Sequence, residues 1–270
     1  MKLVRKGEII VRRKVSAFLL ALSAIGFTRE VNIKILGTSD VHGKVVPWDY
    51  AADKKDKSGS YAQISTYVNK VRKNNKNVLL MEVGDAIQDN WIEYFANDKK
   101  HPVPQVLNYM KYDVFVPGNH EFNFGMPTLT NILKDMEAKK LLANLFYNDK
   151  NKNNFNLSKD KKRYLDAATI IEKDGVKIGV IGLSTPMSKK FEEDTGFLKD
   201  FHFAPIISET KEQIKILKKQ GANAIVVVAH MGIDNENGIS EKGVKDLANA
   251  VPEIDVILAG HMHQNVSKNI

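Results

Sequence analysis

Short apolar segments rich in β-branched residues recur along this chain and alternate with segments of helical spacing. The apolar segments cover residues 31–36, 78–83, 114–116, 141–145, 176–183, 225–229 and 256–259. Several of them are too continuous for a strand with one solvent-exposed face, and such runs are typical of strands covered on both faces. The alternation therefore predicts a layered α/β domain with a largely parallel or mixed sheet.

The segments between these runs have the spacing of amphipathic helices. They cover residues 61–73, 103–111, 128–139, 208–220 and 241–250. The Asp174-Gly175 pair lies between residues 168–173 and the run at 176–183, which predicts a β-hairpin. Residues 148–163 are rich in Asn and Lys and are predicted to form a solvated loop.

Composition narrows the class of protein and the kinds of site it can carry. In 270 residues, 43% hydrophobic and 27% charged side chains are enough to build a core, which excludes a disordered, collagen-like or coiled-coil chain. Trp91 and Phe95 are predicted to pack in that core. The chain has no cysteine, so disulfides, zinc fingers, iron–sulfur clusters and thiol nucleophiles are excluded. Any metal ion must be held by His, Asp, Glu or Asn.

The first residues of the chain have the pattern of an export signal. Three basic residues at positions 12–14 precede an uncharged, mostly apolar run at 15–27. This run is shorter than the about 20 residues that cross a bilayer, so no transmembrane helix is predicted. It matches the apolar part of a secretory signal, with a small-x-small cleavage site at 24–26, although a buried N-terminal helix is the alternative. We therefore predict a signal peptide or N-terminal anchor at residues 1–27 and export to the cell surface, the periplasm or the medium.

The basic net charge does not predict a nucleic-acid partner. The chain carries +8 at neutral pH, but residues 1–26 hold six cations and one acidic residue, so only +3 belongs to the remaining 244 residues. A basic footprint on the folded domain is the usual mark of a nucleic-acid-binding protein. No stable nucleic-acid complex is expected here.

Metal-ligating side chains follow the predicted strands. Five of the seven histidines lie directly after a predicted strand, together with two aspartates and an asparagine. In open α/β sheets, ligands bind outside the carboxyl ends of the strands. Seven of these residues are candidate metal ligands: Asp40, His42, Asp85, Asn119, His230, His261 and His263. Gly84, Gly118 and Gly260 each precede one of them and permit close approach to an ion, although tight turns explain these glycines equally well.

The number of candidate ligands favours two metal ions over one. A single ion with an open position needs about three or four protein ligands, whereas seven suit two divalent ions that share a bridging carboxylate. Asp85 is the natural bridge because it stands alone between the other sets. Nitrogen and oxygen ligands without thiolate suit Zn, Mn, Fe or Co and do not choose among them.

The order of these residues resembles that of the calcineurin-like metallophosphoesterases. The shared pattern consists of Asp40-x-His42, Gly84-Asp85, Gly118-Asn119-His120-Glu121, His230 and Gly260-His261-x-His263. Asn119-His120-Glu121-Phe122 followed by Gly125 is similar to the exported 5′-nucleotidase and 2′,3′-cyclic-nucleotide phosphodiesterase branch. The resemblance spans about residues 31–266 and implies a four-layer α/β/β/α sandwich of mixed sheets flanked by helices.

The resemblance also implies a role for each site residue. One ion would be held by Asp40, His42 and His263, and the other by Asn119, His230 and His261, with Asp85 bridging the two. His120 would stabilise the phosphate and protonate the departing sugar oxygen, while a metal-bound hydroxide attacks phosphorus. Glu121 is either a hydrogen-bond partner of the ligands or a purely structural residue.

Two departures from the family pattern affect the predicted substrate. Where the 5′-nucleotidases have an Asp that orients the catalytic histidine, this chain has Asn123, which makes residues 119–125 more similar to the 2′,3′-cyclic-nucleotide 2′-phosphodiesterase/3′-nucleotidases. Trp48-Asp49-Tyr50 favours the same subgroup. Relatives also continue into a C-terminal domain that binds the nucleotide. Residues 28–270 are thus expected to form a truncated catalytic domain without that partner domain.

The predicted activity is the hydrolysis of nucleotide phosphoesters in nucleotide catabolism, either of 2′,3′-cyclic and 3′-nucleotides or of 5′-nucleotides. The alternative is a catalytically silent metal-binding fragment that lacks the substrate-recognition domain.

Overall fold

The computed structural model describes residues 30–148, 157–159, 162–234 and 243–267. The predicted signal segment at residues 1–27 lies outside the described residues, as does the greater part of the predicted loop at 148–163. Among the described residues, no helix is long and apolar enough to cross a membrane.

Two four-stranded sheets form the centre of the molecule. The first is parallel throughout, in the order β1 (Lys34–Thr38), β4 (Val78–Glu82), β5 (Val114–Phe115) and β6 (Lys139–Lys140). The second has the order β12 (Val256–Ala259), β11 (Ala224–His230), β9 (Val176–Ser184) and β8 (Ala168–Lys173), with only β8 antiparallel. Two small antiparallel pairs complete the described strands: β2 (Trp48–Asp49) with β3 (Lys54–Lys55), and β7 (Leu145–Tyr147) with β10 (Phe201–Phe203).

Helices cover the outer face of each sheet. The described α-helices are α1 (Tyr61–Asn74), α2 (Pro102–Met110), α3 (Gly125–Lys134), α4 (Ser188–Phe191), α5 (Ile206–Lys219) and α6 (Val244–Ala250). Single 3-10 turns lie at Asn90–Phe95 and His120–Phe122. The apolar faces of α1, α2 and α3 pack on the first sheet, and those of α5 and α6 pack on the second.

The alternation of side chains along the central strands shows the four layers. In β4, Val78 and Leu80 pack against the helices that cover the first sheet. Leu79 and Met81, by contrast, pack into the apolar layer between the two sheets. In β11, Val226 and Val228 likewise enter the layer between the sheets and alternate residues face α5 and α6. Since successive side chains of a strand point to opposite faces, both sheets are covered on both sides. The predicted α/β/β/α sandwich is confirmed.

The hairpin predicted at Asp174-Gly175 is confirmed. Lys173 pairs with Val176, so the loop has two residues, and Asp174 and Gly175 have φ of 55° and 82°. Positive φ at both positions is what a type I′ turn requires, and Asp-Gly meets that requirement with little strain.

The predicted strand at residues 141–145 is wrong. Strand β6 ends at Lys140 and β7 begins at Leu145 in a different sheet. The residues between them cross the layers of the fold. Leu141 packs between the two sheets, Leu142 packs in the core under α1, α2 and α3, and Ala143 packs in the core under α5 and α6. The run is apolar because it passes through three cores, not because it is one continuous strand.

A carboxylic acid is buried at the end of β4. Glu82 is fully buried and accepts hydrogen bonds from the Thr38 hydroxyl at 2.7 Å and the Tyr61 hydroxyl at 3.2 Å. Burial raises the pKa of Glu82 from its ordinary value of 4.5 to about 8, because neither hydrogen bond replaces the hydration of the charged form. Glu82 is therefore protonated in the folded protein at neutral pH.

This pKa makes the free energy of unfolding depend on pH. Because the folded-state pKa is raised, the contribution of Glu82 to stability is complete below pH 4.5 and is lost as the pH rises through about 8. We expect Glu82→Gln to remove a pH dependence of the order of a few kcal/mol between pH 5 and pH 8, measured by urea unfolding. Glu253→Gln, at an exposed position, is the control. Parallel stability curves for the wild type and the Glu82 variant would contradict this pKa.

Candidate metal centre

The carboxyl ends of five strands bring the predicted ligands together. Asp40 follows β1, Asp85 follows β4, Asn119 follows β5 and His261 follows β12, while His230 is the last residue of β11. The two sheets meet at this rim, where His230 Nε2 from the second sheet lies 2.9 Å from Asp85 Oδ2 of the first. Ligand binding at the carboxyl ends of parallel strands is the general rule in α/β proteins.

The first group of candidate ligands consists of Asp40, His42 and His263. One donor atom from each lies within 4.8 Å of the others. The Nε2 atoms of His42 and His263 are 3.1 Å apart, and His263 Nε2 is 3.5 Å from Asp40 Oδ1. The His263 side chain is 61% exposed, so this side of the centre is open to solvent.

The second group is deeper and consists of Asp85, His230 and His261, with donor atoms again within 4.8 Å of one another. Asn119 adjoins this group because its Oδ1 lies 3.1 Å from His230 Nε2. His230 is completely buried, and its Nδ1 donates to the Val83 carbonyl at 3.0 Å. Nε2, the other ring nitrogen, faces Asp85 and Asn119, and its lone pair becomes available to a metal ion when the ring loses the proton on Nε2.

The two groups are adjacent. The backbone N–H of His261, from the second group, donates to both carboxylate oxygens of Asp40, from the first, at 3.0 and 3.1 Å. Within the second group, the His230 and His261 rings are 5.3 Å apart between centroids. The seven predicted ligands therefore form one continuous set of donors.

The donor spacing fits metal coordination. Ligand atoms bound at about 2.1 Å to one ion lie about 3 to 3.5 Å from each other in a tetrahedral arrangement. The measured donor–donor distances of 2.9, 3.1, 3.1 and 3.5 Å fall close to this range. Imidazole, carboxylate and carboxamide donors suit divalent transition metals.

The backbone is strained where it presents these ligands. Five of the seven lie in the left-handed region, with φ between 48° and 86°: Asp40, His42, Asp85, His261 and His263. In the part of the chain that the structure describes, they make up half of the non-glycine residues with positive φ. Such residues cost about 1–3 kcal/mol each and cluster at functional sites, where the surrounding structure holds them.

Two glycines leave the space that the ligands occupy. A Cβ atom on Gly118 would lie 2.2 Å from Asp85 Oδ1 and 2.7 Å from His230 Cε1, and one on Gly260 would lie 3.1 Å from Asp40 Oδ2. Any side chain at position 118 would displace the buried ligands. Glycine at these two positions is therefore needed so that the candidate ligands can lie close to the backbone, and not only to form a tight turn.

Glu121 holds the loops that carry the ligands. Its fully buried carboxylate accepts hydrogen bonds from the backbone N–H groups of Asp85, Ala86, Ile87 and Gly118, at 2.5 to 3.2 Å. Burial, together with the nearby Asp85 charge, raises the pKa of Glu121. The carboxylate fixes the loop after β4 to the loop after β5. Glu121 is thus a hydrogen-bond partner of the candidate ligand Asp85, through its backbone, and it also has a structural role in joining the two loops.

The electrostatics of the second group favour a cation. Burial alone raises the pKa of Asp85, but the hydrogen bond with His230 and the charge beside it outweigh burial and hold the pKa below its ordinary value. Burial would lower the pKa of His230, and the Asp85 carboxylate reverses that effect and raises it. Burial and the neighbouring His230 lower the pKa of His261. Divalent ions bind such anionic and imidazole ligands by displacing the protons between them.

His120 lies beside the candidate ligands without belonging to either group. Its backbone N–H donates to Asp85 Oδ1 at 2.9 Å, and its ring is 5.4 Å from the His42 ring between centroids. His120 Nδ1 is 2.7 Å from Asn123 Oδ1. On the far side, Asn123 Nδ2 donates to Glu192 Oε1 at 2.5 Å.

All nine residues predicted from the sequence, the seven ligands with His120 and Asn123, are thus brought to this rim. The prediction for Trp91 and Phe95 is wrong, since they are 53% and 39% exposed. Both lie in the 3-10 turn after the Asp85 loop. There Trp91 stacks on the exposed Tyr94, with 5.2 Å between the ring centroids. Glu192 was not recognised from the sequence, because no spacing signal links it to Asn123, 69 residues earlier.

Known proteins are similar to this chain in sequence and in fold. The trifunctional nucleotide phosphoesterase protein YfkN of Bacillus subtilis is 32% identical over 87% of this chain and 17% of its own length. A 2′,3′-cyclic-nucleotide 2′-phosphodiesterase/3′-nucleotidase of Salmonella typhimurium is 30% identical over 93% of this chain and 40% of its own length. The chain therefore spans a minority of the length of both relatives.

The crystal structure of the calcineurin-like phosphoesterase YfkN from Bacillus subtilis matches with a TM-score of 0.73 and 30% identity. The match covers 85% of this chain and 72% of that one. The sequence profile of the calcineurin-like phosphoesterases, which use divalent metal ions, matches residues 33–265. Because this profile matches most of the chain and these relatives are similar to it, the chain belongs to the calcineurin-like phosphoesterase family.

Proposed function

We propose that this chain hydrolyses phosphoesters of nucleotides with two divalent ions held at the rim of its sheets. The observation that carries the proposal is the meeting of two adjacent donor groups at metal-ligand spacing, with His120 beside them. The proposed ligands of one ion are Asp40, His42 and His263, and those of the other are Asn119, His230 and His261. Asp85 is the proposed bridge.

The ions would supply Lewis-acid chemistry, polarising the phosphate oxygens and lowering the pKa of water. The open side of the rim at His263 admits the substrate. The Glu121 carboxylate holds the two ligand-bearing loops in place. His120 donates a proton from its ring to the sugar oxygen as it departs, a role for which imidazole has a suitable pKa. The family relation and the names of the relatives support nucleotides as the substrate class.

Within the family we propose the 2′,3′-cyclic-nucleotide 2′-phosphodiesterase/3′-nucleotidase activity over the 5′-nucleotidase activity. Asn123, the third residue after His120 and its hydrogen-bond partner, supports this choice, as does the similarity to the Salmonella typhimurium relative. The nitrogen and oxygen donors suit Zn, Mn, Fe or Co as the two ions. Export is proposed on the pattern of residues 12–27 alone, and the nucleotide is the only partner proposed for the rim.

The experiment is hydrolysis of bis-p-nitrophenyl phosphate by the chelator-treated chain with and without added Mn²⁺. This diester needs no recognition of a base, so it tests the rim alone. We expect activity with Mn²⁺ and less than a hundredth of it in EDTA, together with two ions per chain by native mass spectrometry. Two bound ions without turnover would instead support the catalytically silent alternative. Among nucleotides, a higher kcat/KM for 2′,3′-cyclic AMP than for 5′-AMP is expected, and the reverse order would contradict the subgroup.

A further inference from the structure

A buried carboxylate lies behind Asn123, on the side away from His120. Glu192 directly follows α4 and is only 3% exposed. Its Oε1 accepts the hydrogen bond from Asn123 Nδ2 at 2.5 Å, and its Oε2 accepts from the Thr195 hydroxyl at 2.7 Å. Phe191, the neighbouring residue, has its ring 6.3 Å from the ring of His261, so this segment borders the centre.

The direction of these hydrogen bonds fixes the orientation of the Asn123 amide. A carboxylate only accepts hydrogen bonds, so the NH₂ group of Asn123 faces Glu192 and its oxygen faces His120. An amide oxygen also only accepts, so the Nδ1 atom of His120 carries the hydrogen in the 2.7 Å contact. Nε2 is then the ring nitrogen left for the substrate.

We propose that Glu192 is a positioning residue that acts through Asn123 to hold the neutral His120 ring in the Nδ1–H form, with Nε2 directed to the reaction. When this ring takes up a proton it does so at Nε2, and the proton that passes to the departing sugar oxygen comes from that nitrogen. The importance of this form for catalysis rests on the proposed function of the rim. The negative charge behind the Asn123–His120 pair lies on Glu192, one hydrogen bond away from His120's own partner.

Moving the charge tests the proposal. In Glu192→Gln, residue 192 can present either an oxygen or an NH₂ group to Asn123, so the amide orientation is no longer imposed. We expect kcat for 2′,3′-cyclic AMP, whose departing sugar oxygen needs a proton, to fall about 10- to 100-fold with KM within twofold, since misplacement of a catalytic group acts mainly on the chemical step. Asn123→Asp alone would bring two carboxylates into contact and is expected to lower both the activity and the Tm.

The double variant Asn123→Asp with Glu192→Gln restores a complete set of hydrogen bonds. The carboxylate introduced at position 123 accepts from His120 on one side and from the amide introduced at position 192 on the other. We expect kcat to return to within about fivefold of the wild type, which a merely structural role of Glu192 does not predict. Glu193→Gln removes the same charge from the next, exposed residue and is the control.

A spectroscopic readout separates this proposal from the proposed function. Nitrogen-15 NMR of the His120 ring, assigned by loss of its signals in His120→Gln, reports the tautomer in metal-free and zinc-loaded protein. The wild type and the double variant are expected to show Nδ1–H, and Glu192→Gln a mixture of tautomers. An Nε2–H ring in the wild type, or a double variant no more active than Glu192→Gln, would overturn the proposal. An inactive wild type with the expected tautomers would refute the proposed function alone.

Discussion

Replacement of Asp85 by Asn is expected to lower kcat/KM for phosphodiester hydrolysis by about a thousandfold or more. Asp85 lies in the deeper ligand group and is the proposed bridge between two ions, so the variant removes the one anionic ligand that both would share. The charge stabilisation supplied by metal ions is worth several kcal/mol, and each 1.36 kcal/mol corresponds to a factor of ten in rate. Metal content, measured by native mass spectrometry, is expected to fall below two ions per chain.

The size of the Asp85 effect separates a ligand from a structural residue. Asparagine keeps the shape of the side chain and one oxygen, so the fold is expected to persist, with far-ultraviolet circular dichroism unchanged. Asp246→Asn removes an equal charge from an exposed position on α6 and is expected to leave activity and metal content unchanged. A loss of less than tenfold with two ions still bound would show that Asp85 is not the bridge.

Local patterns predicted a layered α/β domain because both sheets are covered on both sides, whereas the four-layer arrangement was implied by the family resemblance. The runs at 176–183, 225–229 and 256–259 are apolar on successive residues, and each forms a strand within one residue of the predicted ends. The run at 141–145 has the same composition for a different reason, since its side chains enter three separate cores. An apolar composition indicates that residues are buried, but it does not indicate whether those residues lie in one strand.

The candidate ligands were predictable for a related reason. Each lies at or just after a strand end, and the carboxyl ends of parallel strands meet at one edge of a sheet, so chain position alone implies proximity. The position of Glu192 in the sequence does not indicate that it lies near the rim. Glu192 follows the short helix α4, not a strand, and it reaches Asn123 only through tertiary packing. Trp91 and Phe95 were misplaced because aromatic character predicts burial on average, while their 3-10 turn lies on the surface beside the rim.

Replacement of His120 by Ala is expected to lower kcat for 2′,3′-cyclic AMP by a factor of about 10² to 10⁴ without removing the ions. General acid catalysis by a positioned side chain contributes in this range. Metal content is expected to stay at two ions per chain, because the His120 ring lies beside the ligand groups and belongs to neither. His202→Ala is the matched control, since His202 is an exposed histidine of β10 that is hydrogen-bonded to Asn148.

The leaving group identifies the step in which His120 acts. A p-nitrophenolate leaves without needing a proton, whereas a sugar alkoxide needs one as its bond to phosphorus breaks. The loss on His120→Ala is therefore expected to be at least tenfold larger for 2′,3′-cyclic AMP than for bis-p-nitrophenyl phosphate. Equal losses for both substrates would indicate that His120 stabilises charge on the phosphate instead of donating a proton.

A drop in metal content would instead make His120 a ligand, in contradiction to its place outside both donor groups. Only the combination of retained ions and a leaving-group-dependent loss agrees with the geometry, in which Nδ1 is engaged by Asn123 and the other ring nitrogen is free to act on the substrate.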